Sequence, residues 1–371
     1  MHFKWLTAFL LLLKKSTSDS CPGRWVFQPC HCEYSGSEAG IYCNRMNGQS
    51  IANVFNRVST LANVYKHFDY LQIKNSSNLE LNEKILGDLK FRVIKITDSN
   101  ITLIESQTFE SSYNFTEEFI LFRSTLHEWL NNGFNLFRII KQFSNLQKLT
   151  ISQTNLKTIP ENAFLRLNST QTQLLNINLS HNRIKNIGDF AFYELSEVKF
   201  IDFSYNRVKH VSQDTFAFWK ESENEIKIDL SNNYLSTKCF ESLAFSKTKR
   251  KMLLILAHNN ITFLDETVFL SILNNSQNKI LMNNNPTVCN CKNAWILRER
   301  KTIIENLLDF LCEDGHSIFD RSYGDYYYCT LKNVDIEDNI CGCGTMKMVH
   351  FLWKIGLITN YHKEHILDEF H

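Results

Sequence analysis

Several things are missing from this 371-residue chain, and each absence closes off a class of function. No stretch approaches the ~18 uncharged apolar residues of a membrane-crossing helix. The best one, "MVHFLWKIGLITNY" at 348–361, is too short and carries Lys354. The C-terminal "HKEHILDEFH" is too charged for a lipid-anchor signal. Charge of one sign is not in excess: 40 Lys and Arg stand against 39 Asp and Glu. That balance supports neither a nucleic-acid groove nor a basic membrane patch. There is no G-x-S-x-G, no H-E-x-x-H and no Gly-rich phosphate loop. The pair of His in "HKEH" at 362–365 is weak evidence for a metal. No C-x-x-C occurs either, although "CNC" and "CGCG" keep zinc open as a rival to disulfides. The expectation is a protein that is not an enzyme and has no cofactor and no metal.

What is present is a syncopated apolar line. In "LLNINLSHNRIKNI" the residues Leu174, Ile177, Leu179 and Ile184 are spaced three, two and five apart, with Asn182 between the last two. That fits neither a helix nor a strand alone. The line returns with Val198, Ile201, Phe203, Asn206 and Val208, then around Asn233, Asn259 and Asn285. Upstream it continues with Ser or Thr in the Asn slot, at Ser76, Ser99, Ser124 and Thr154. Nine slots separated by 23 to 30 residues give the leucine-rich-repeat line L-x-x-L-x-L-x-x-N-x-L. Side chains two apart share one face of a short strand, and the outer apolar residues belong to the bends. One repeat cannot bury its own apolar edge, so the copies must stack. The fold class expected is α/β: a horseshoe solenoid with a parallel sheet on its concave face. Phe109, Phe164, Phe192, Phe216 and Phe269 should return to the core from the convex side. A hydroxyl satisfies fewer partners than an amide, so the first four repeats should be the less regular ones.

The start, "MHFKWLTAFLLLLKK", has Lys4 and an apolar run from Trp5 to Leu13, the length of a signal peptide. Removing Lys4, Lys14 and Lys15 with it leaves 37 basic residues against 39 acidic ones. Eight of the 11 cysteines flank the repeats: Cys21, Cys30, Cys32 and Cys43, then Cys289, Cys291, Cys312 and Cys329. A solenoid must cover its exposed ends, and secreted ones do so with disulfide-bonded caps. In the second cap Trp295, Ile303, Ile304, Leu307, Leu308 and Leu311 have helical spacing. Cys239 reads as a buried, unreactive thiol; Cys341 and Cys343 could pair with each other or with another chain. Seven N-x-S/T sequons, at Asn75, Asn100, Asn114, Asn168, Asn178, Asn260 and Asn274, fit a secreted glycoprotein.

Caps and repeats together resemble secreted leucine-rich-repeat proteins with cysteine-rich flanks. "CPGRWVFQPCHCEYSGSEAGIYC" and "NPTVCNCKNAWILRER" look like the two flanks. The closer likeness is to arthropod proteins similar to the non-catalytic subunit of oplophorus-luciferin 2-monooxygenase, which share the C-x8-C-x-C opening and the "CxCxxAW" second cap. The resemblance covers residues 21 to about 329, whereas the tail departs from it. It implies first-with-third and second-with-fourth pairing: Cys21 with Cys32, Cys30 with Cys43, Cys289 with Cys312, and Cys291 with Cys329. The organisation expected is a signal peptide (1–18), an N-terminal cap (19–66), about nine repeats (67–288), a C-terminal cap (289–330) and a tail (331–371).

The default surface for a partner is the concave sheet. Its outward positions mix both charge signs with aromatics, which suits an extracellular protein or a glycan better than a polyanion. Ile120, Phe122, His181, Asp202, Tyr205 and Asp229 are the candidates. Asn178 also points out there, and a glycan on it would obstruct the middle of the face. Three roles remain open: a diffusible matrix, adhesion or signalling protein, the non-catalytic partner of a secreted enzyme, or a receptor ectodomain, the last disfavoured by the missing anchor.

Overall fold

The computed structural model describes residues 21, 24–35, 37–61, 66–165 and 173–330. The expected leader, the tail with Cys341, Cys343 and the paired His, and the sequon at Asn168 lie outside them.

A twelve-stranded sheet runs the length of the molecule in sequence order. It opens with an antiparallel pair, His31–Ser35 and Glu38–Asn44, and every later neighbour is parallel. The three-then-two spacing has a direct cause here. In each strand the central apolar residue points inward, in register with its counterparts on both sides. The resulting ladder runs Ile41, Leu71, Ile94, Phe119, Leu149, Ile177, Ile201, Ile228, Leu254, Ile280 and Leu307. All eleven are buried. Each such side chain contributes roughly 2 kcal/mol by burial, and Ile201→Ala at the centre would cost about 2–5 kcal/mol. A second line of rings backs the ladder from the convex side. Phe164 packs on Phe192 (5.8 Å), Phe192 on Phe216 (5.8 Å) and Phe216 on Phe245 (5.5 Å). Phe109, Phe164, Phe192, Phe216 and Phe269 are all buried, which places the core between sheet and convex loops.

The slot residue closes each turn. Asn206 donates from Nδ2 to the carbonyls of Leu179 in the preceding repeat (2.9 Å) and of Phe203 (3.0 Å) and Ser204 (3.2 Å) in its own. Its Oδ1 accepts from the Ile184 N–H at 3.0 Å. Asn182, Asn233, Asn259 and Asn285 repeat the pattern. The residue just before the slot adopts a left-handed backbone conformation throughout: φ is 55° at Asn75, His181, Tyr205, Asn232 and His258 and 53° at Gln153. A non-glycine residue costs about 1–2 kcal/mol there, which the slot bonds offset.

Both caps are cross-linked: Cys21 to Cys32, Cys30 to Cys43, Cys289 to Cys312 and Cys291 to Cys329. In the N-terminal cap the helix Gly48–Ser59 starts at Asn47, whose side chain accepts from the Ser50 N–H (2.9 Å). It buries Ile51, Val54, Phe55 and Val58, an i, i+3, i+4, i+7 stripe. In the C-terminal cap the Trp295 indole donates to the Leu264 carbonyl at 3.0 Å, sealing the last repeats.

Two expectations need correction. Helical spacing across the second cap holds only for Ala294–Arg298 and Arg300–Ile303. Buried Asn306 then donates to the carbonyls of Leu273 (2.8 Å) and Asn275 (3.2 Å), drawing the chain into the sheet. Leu307–Leu308 therefore forms its last strand, and Ile304 and Leu311 are left exposed. Strand length does not separate early from late repeats: eight residues at His67–Lys74, Lys90–Thr97 and Ser222–Asp229, five at Glu118–Phe122 and Lys148–Ser152, and three at Asn176–Asn178 and Phe200–Asp202. The early repeats carry a second parallel sheet of Leu79–Leu81, Asn100–Ile104 and Thr125–Leu126, with a register irregularity between Leu79 and Glu80. Cys239, finally, is only half-buried; its Sγ accepts from the Ser236 N–H at 3.2 Å.

Candidate functional site: the concave face

Between the two inward residues of each strand one residue points out of the concave sheet. Register sets these in a single row: Tyr42, Gln72, Lys95, Ile120, Thr150, Asn178, Asp202, Asp229, Ile255, Leu281 and Leu308. Neighbours in the row lie about 4.8 Å apart. Asp202 and Asp229 are therefore adjacent carboxylates. Each is oriented by its own turn: Asp202 Oδ1 accepts from the Ser204 N–H (2.8 Å), and Asp229 Oδ1 from the N–H (3.0 Å) and hydroxyl (2.7 Å) of Ser231. Asn178 does the same with Ser180 (3.0 Å and 2.8 Å), so it is half-buried on the face and not freely projecting.

The left-handed residues form a parallel row at the rim. His181 and Tyr205 stack there with ring centroids 4.3 Å apart and planes inclined by 17°. The left-handed backbone explains the fit, because it turns both side chains the same way off adjacent repeats. Tyr205 remains 52% exposed, so one ring face is open to a partner. His258, further along the rim, is tied through Nε2 to the Asn284 amide (3.0 Å). His181 and Tyr205 thus meet at the rim, and Asp202 and Asp229 pair in the neighbouring row. Ile120 and Phe122 do not join them, since the strands Lys148–Ser152 and Asn176–Asn178 intervene. Near Phe122 the Arg123 guanidinium sits 5.0 Å from the ring centroid and pairs with Asp98 at 2.8 Å.

At the far N-terminal end burial, then Glu33, Tyr70 and Glu38, pushes the Tyr42 phenol up, so it stays a neutral hydrogen-bonding group. Toward the C-terminus the row changes character. Leu253, Ile255, Leu281 and Leu308 make an apolar stretch that begins one strand beyond Asp229. Sequence reasoning missed it. The signal was present in "LLILA", where the variable position between the two inward leucines is itself apolar. Leu308 was hidden because it was counted into a helix. Among the described residues no group of three or more His, Cys, Asp or Glu is placed to hold a metal ion, and no helix is long and apolar enough to cross a membrane.

A family model described as "Leucine rich repeat" matches residues 172–223, the two repeats closed by Asn182 and Asn206. Among solved structures, a chain of the octameric complex of Latrophilin 3, Unc5D and FLRT2 is 16% identical, with a TM-score of 0.49 over 81% of this chain and 98% of that one. Human 5T4 (Wnt-activated inhibitory factor 1, trophoblast glycoprotein) is 14% identical, with a TM-score of 0.43 over 82% of this chain and 98% of that one. An internalin (inlF) from Listeria monocytogenes is 15% identical with a TM-score of 0.37, and the match spans 57% of this chain and 58% of the internalin. With the repeat line built into one continuous sheet and closed by disulfide-bonded ends, the chain has the leucine-rich-repeat solenoid fold, and residues 172–223 match the family's repeat.

Proposed function

We propose that this is a secreted, non-catalytic protein of extracellular recognition whose macromolecular partner docks on the concave face around His181, Asp202, Tyr205 and Asp229. The observation that carries the reading is the stacked, half-exposed His181–Tyr205 pair beside two oriented carboxylates. An aromatic anchor held rigid before binding pays little ordering entropy, and Tyr is enriched among the residues that dominate interfaces. Four disulfides support an oxidising compartment. Cross-linking pull-down with mass spectrometry would supply the partner, after glycan mapping at Asn178. The double variant His181→Ala/Tyr205→Ala should then weaken binding by about 2 kcal/mol or more. The control Glu221→Ala, exposed and away from the row, should leave it unchanged. Unchanged affinity in a folded double variant overturns the site.

A second, finer reading rests on the caps: the non-catalytic subunit of a secreted enzyme such as a luciferase-like monooxygenase. It is supported by the "CNCKNAW" segment, whose Trp295 is built into the closure of the solenoid. Co-purification of a stoichiometric enzyme from native secretions separates it from the first.

A further inference from the structure

Away from the concave face, the edge that leads from the slot toward the convex loops carries a line of uncompensated cations. The residues one and three beyond each slot flank a buried apolar residue, so their side chains leave on the same side. Around Leu156, Ile184 and Val208 in three consecutive repeats these positions hold Lys157, Arg183, Lys185, Arg207 and Lys209, all exposed. Backbone bonds fix the repeats side by side: Arg183 N–H to the Leu156 carbonyl (2.9 Å), Lys185 N–H to the Lys157 carbonyl (3.0 Å), and Arg207 N–H to the Ile184 carbonyl (2.9 Å). Arg183 therefore neighbours Arg207, and Lys157 neighbours Lys185, at about one strand spacing of ~5 Å. Among the described residues none of the five has an ion-pair partner. His210, the next basic residue, is instead engaged by Glu241 at 3.2 Å. The even charge balance of the whole chain conceals this segregation.

We propose that Lys157, Arg183, Lys185, Arg207 and Lys209 form a binding surface for a linear sulfated polysaccharide. Like charges at this spacing repel one another, and an extended polyanion lying across the repeats relieves that repulsion along its length. Arginine forks suit sulfate oxygens, and the exposed lysines add point charges that tolerate an irregular sulfation pattern. Arg183 also lines a hollow with Arg123, Thr154 and Asn155, and the line of five cations runs past it across three repeats. Disulfide-bonded caps belong to an oxidising compartment, where extended polyanions are polysaccharides more often than nucleic acids. The positions of the sequons agree. Asn100 and Asn260 occupy the first position after the slot in outlying repeats, and Thr125, Asn155, Arg183, Arg207 and Tyr234 between them carry no sequon. Attached glycans would thus bracket the patch and leave it open.

The test uses the full-length protein on immobilised heparin in about 0.15 M salt, beside chemically desulfated heparin, phosphatidylserine vesicles and single-stranded DNA. The variant Lys157→Ala/Arg183→Ala/Lys185→Ala/Arg207→Ala/Lys209→Ala should lose heparin affinity by about tenfold or more. An equal-charge control on the concave face, Lys74→Ala/Lys95→Ala/Lys148→Ala/Lys227→Ala/Lys279→Ala, should stay within about threefold of wild type. Heparin bound to wild-type protein should also shield Lys157, Lys185 and Lys209 from acetylation while Lys148 and Lys279 react, a readout that needs no variant to fold. Equal losses in both variants, equal binding of desulfated heparin, equal binding of vesicles or DNA, or unshielded lysines at the patch would each overturn the assignment.

Discussion

From Ser76 to Ser124 the slot is filled by a hydroxyl, and from Asn182 to Asn285 by an amide. Ser99 donates once, to the Thr97 carbonyl of its own repeat (2.8 Å), and accepts once, from the Ser76 N–H (3.1 Å). Asn206 makes three donor contacts, one of them to the preceding repeat, and accepts a further bond from it. The hydroxyl thus joins two repeats with one bond to each, fewer than the amide makes. The backbone adds to this: Asn100 N–H donates to the Ser76 carbonyl (2.7 Å) and Thr125 N–H to the Ser99 carbonyl (2.9 Å), opening the second sheet. Main-chain bonds join neighbouring repeats in both halves, as Arg207 N–H to the Ile184 carbonyl (2.9 Å) does in the second, and the halves differ in how many side-chain bonds the slot adds. The repeat line alone does not reveal that division, because both halves spell the same apolar pattern.

The largest effect should come from the caps that end the two halves. The bridge Cys291–Cys329 spans 38 residues and Cys21–Cys32 spans 11. On a chain-entropy basis their removal should cost about 4 and about 3 kcal/mol respectively. Denaturant melts of Cys291→Ser/Cys329→Ser and Cys21→Ser/Cys32→Ser would measure both. A larger loss at the N-terminal cap would mean that the short bridge is supporting the adjacent long strands beyond its entropy, and the halves would differ in more than their slots.

Next in size is the slot itself. Asn206→Ala takes the acceptor from the buried Ile184 N–H and one of two donors from the carbonyls of Leu179, Phe203 and Ser204, at about 1–3 kcal/mol. Ser99→Ala should cost less, since the second sheet remains. Asn206→Ser sharpens the comparison: a hydroxyl there cannot reach Leu179, so it should behave more like alanine than like the native residue. Equal losses for Asn206→Ala and Ser99→Ala would erase the distinction between the halves.

How far the molecule was legible follows from the same division. The inward ladder and the convex phenylalanines could be read because each obeys a fixed offset from the slot. The His181–Tyr205 pair was legible for the same reason, since identical offsets on adjacent repeats must meet. Three features were not. The second sheet depends on how the backbone beyond the slot is registered between repeats, which no single residue signals. Leu307–Leu308 follows a helical spacing, yet buried Asn306 turns it into a strand. The cation line sits one and three places beyond the slot, where any residue is tolerated, and a whole-chain charge count averages it away.

The smallest effect concerns the left-handed row, which both halves share and which therefore serves as the control for the comparison. Gln153 holds φ at 53°, is exposed and ends a repeat of the first half. Glycine pays no steric cost in that conformation but loses more freedom on folding, so the two terms partly cancel. Gln153→Gly should therefore raise stability by up to about 1 kcal/mol. Tyr205 has the same backbone, with φ of 55°, but its ring is committed to His181. Tyr205→Gly relieves the same strain while giving up a stacked pair that contributes about 0.5–1.5 kcal/mol, so its net change should be near zero or a loss. Thermal melts of the two glycine variants would decide. A gain at Tyr205 equal to that at Gln153 would mean the stack contributes nothing to the fold. A loss at Gln153 would mean the left-handed row is not strained at all, and the slot bonds would have nothing to offset.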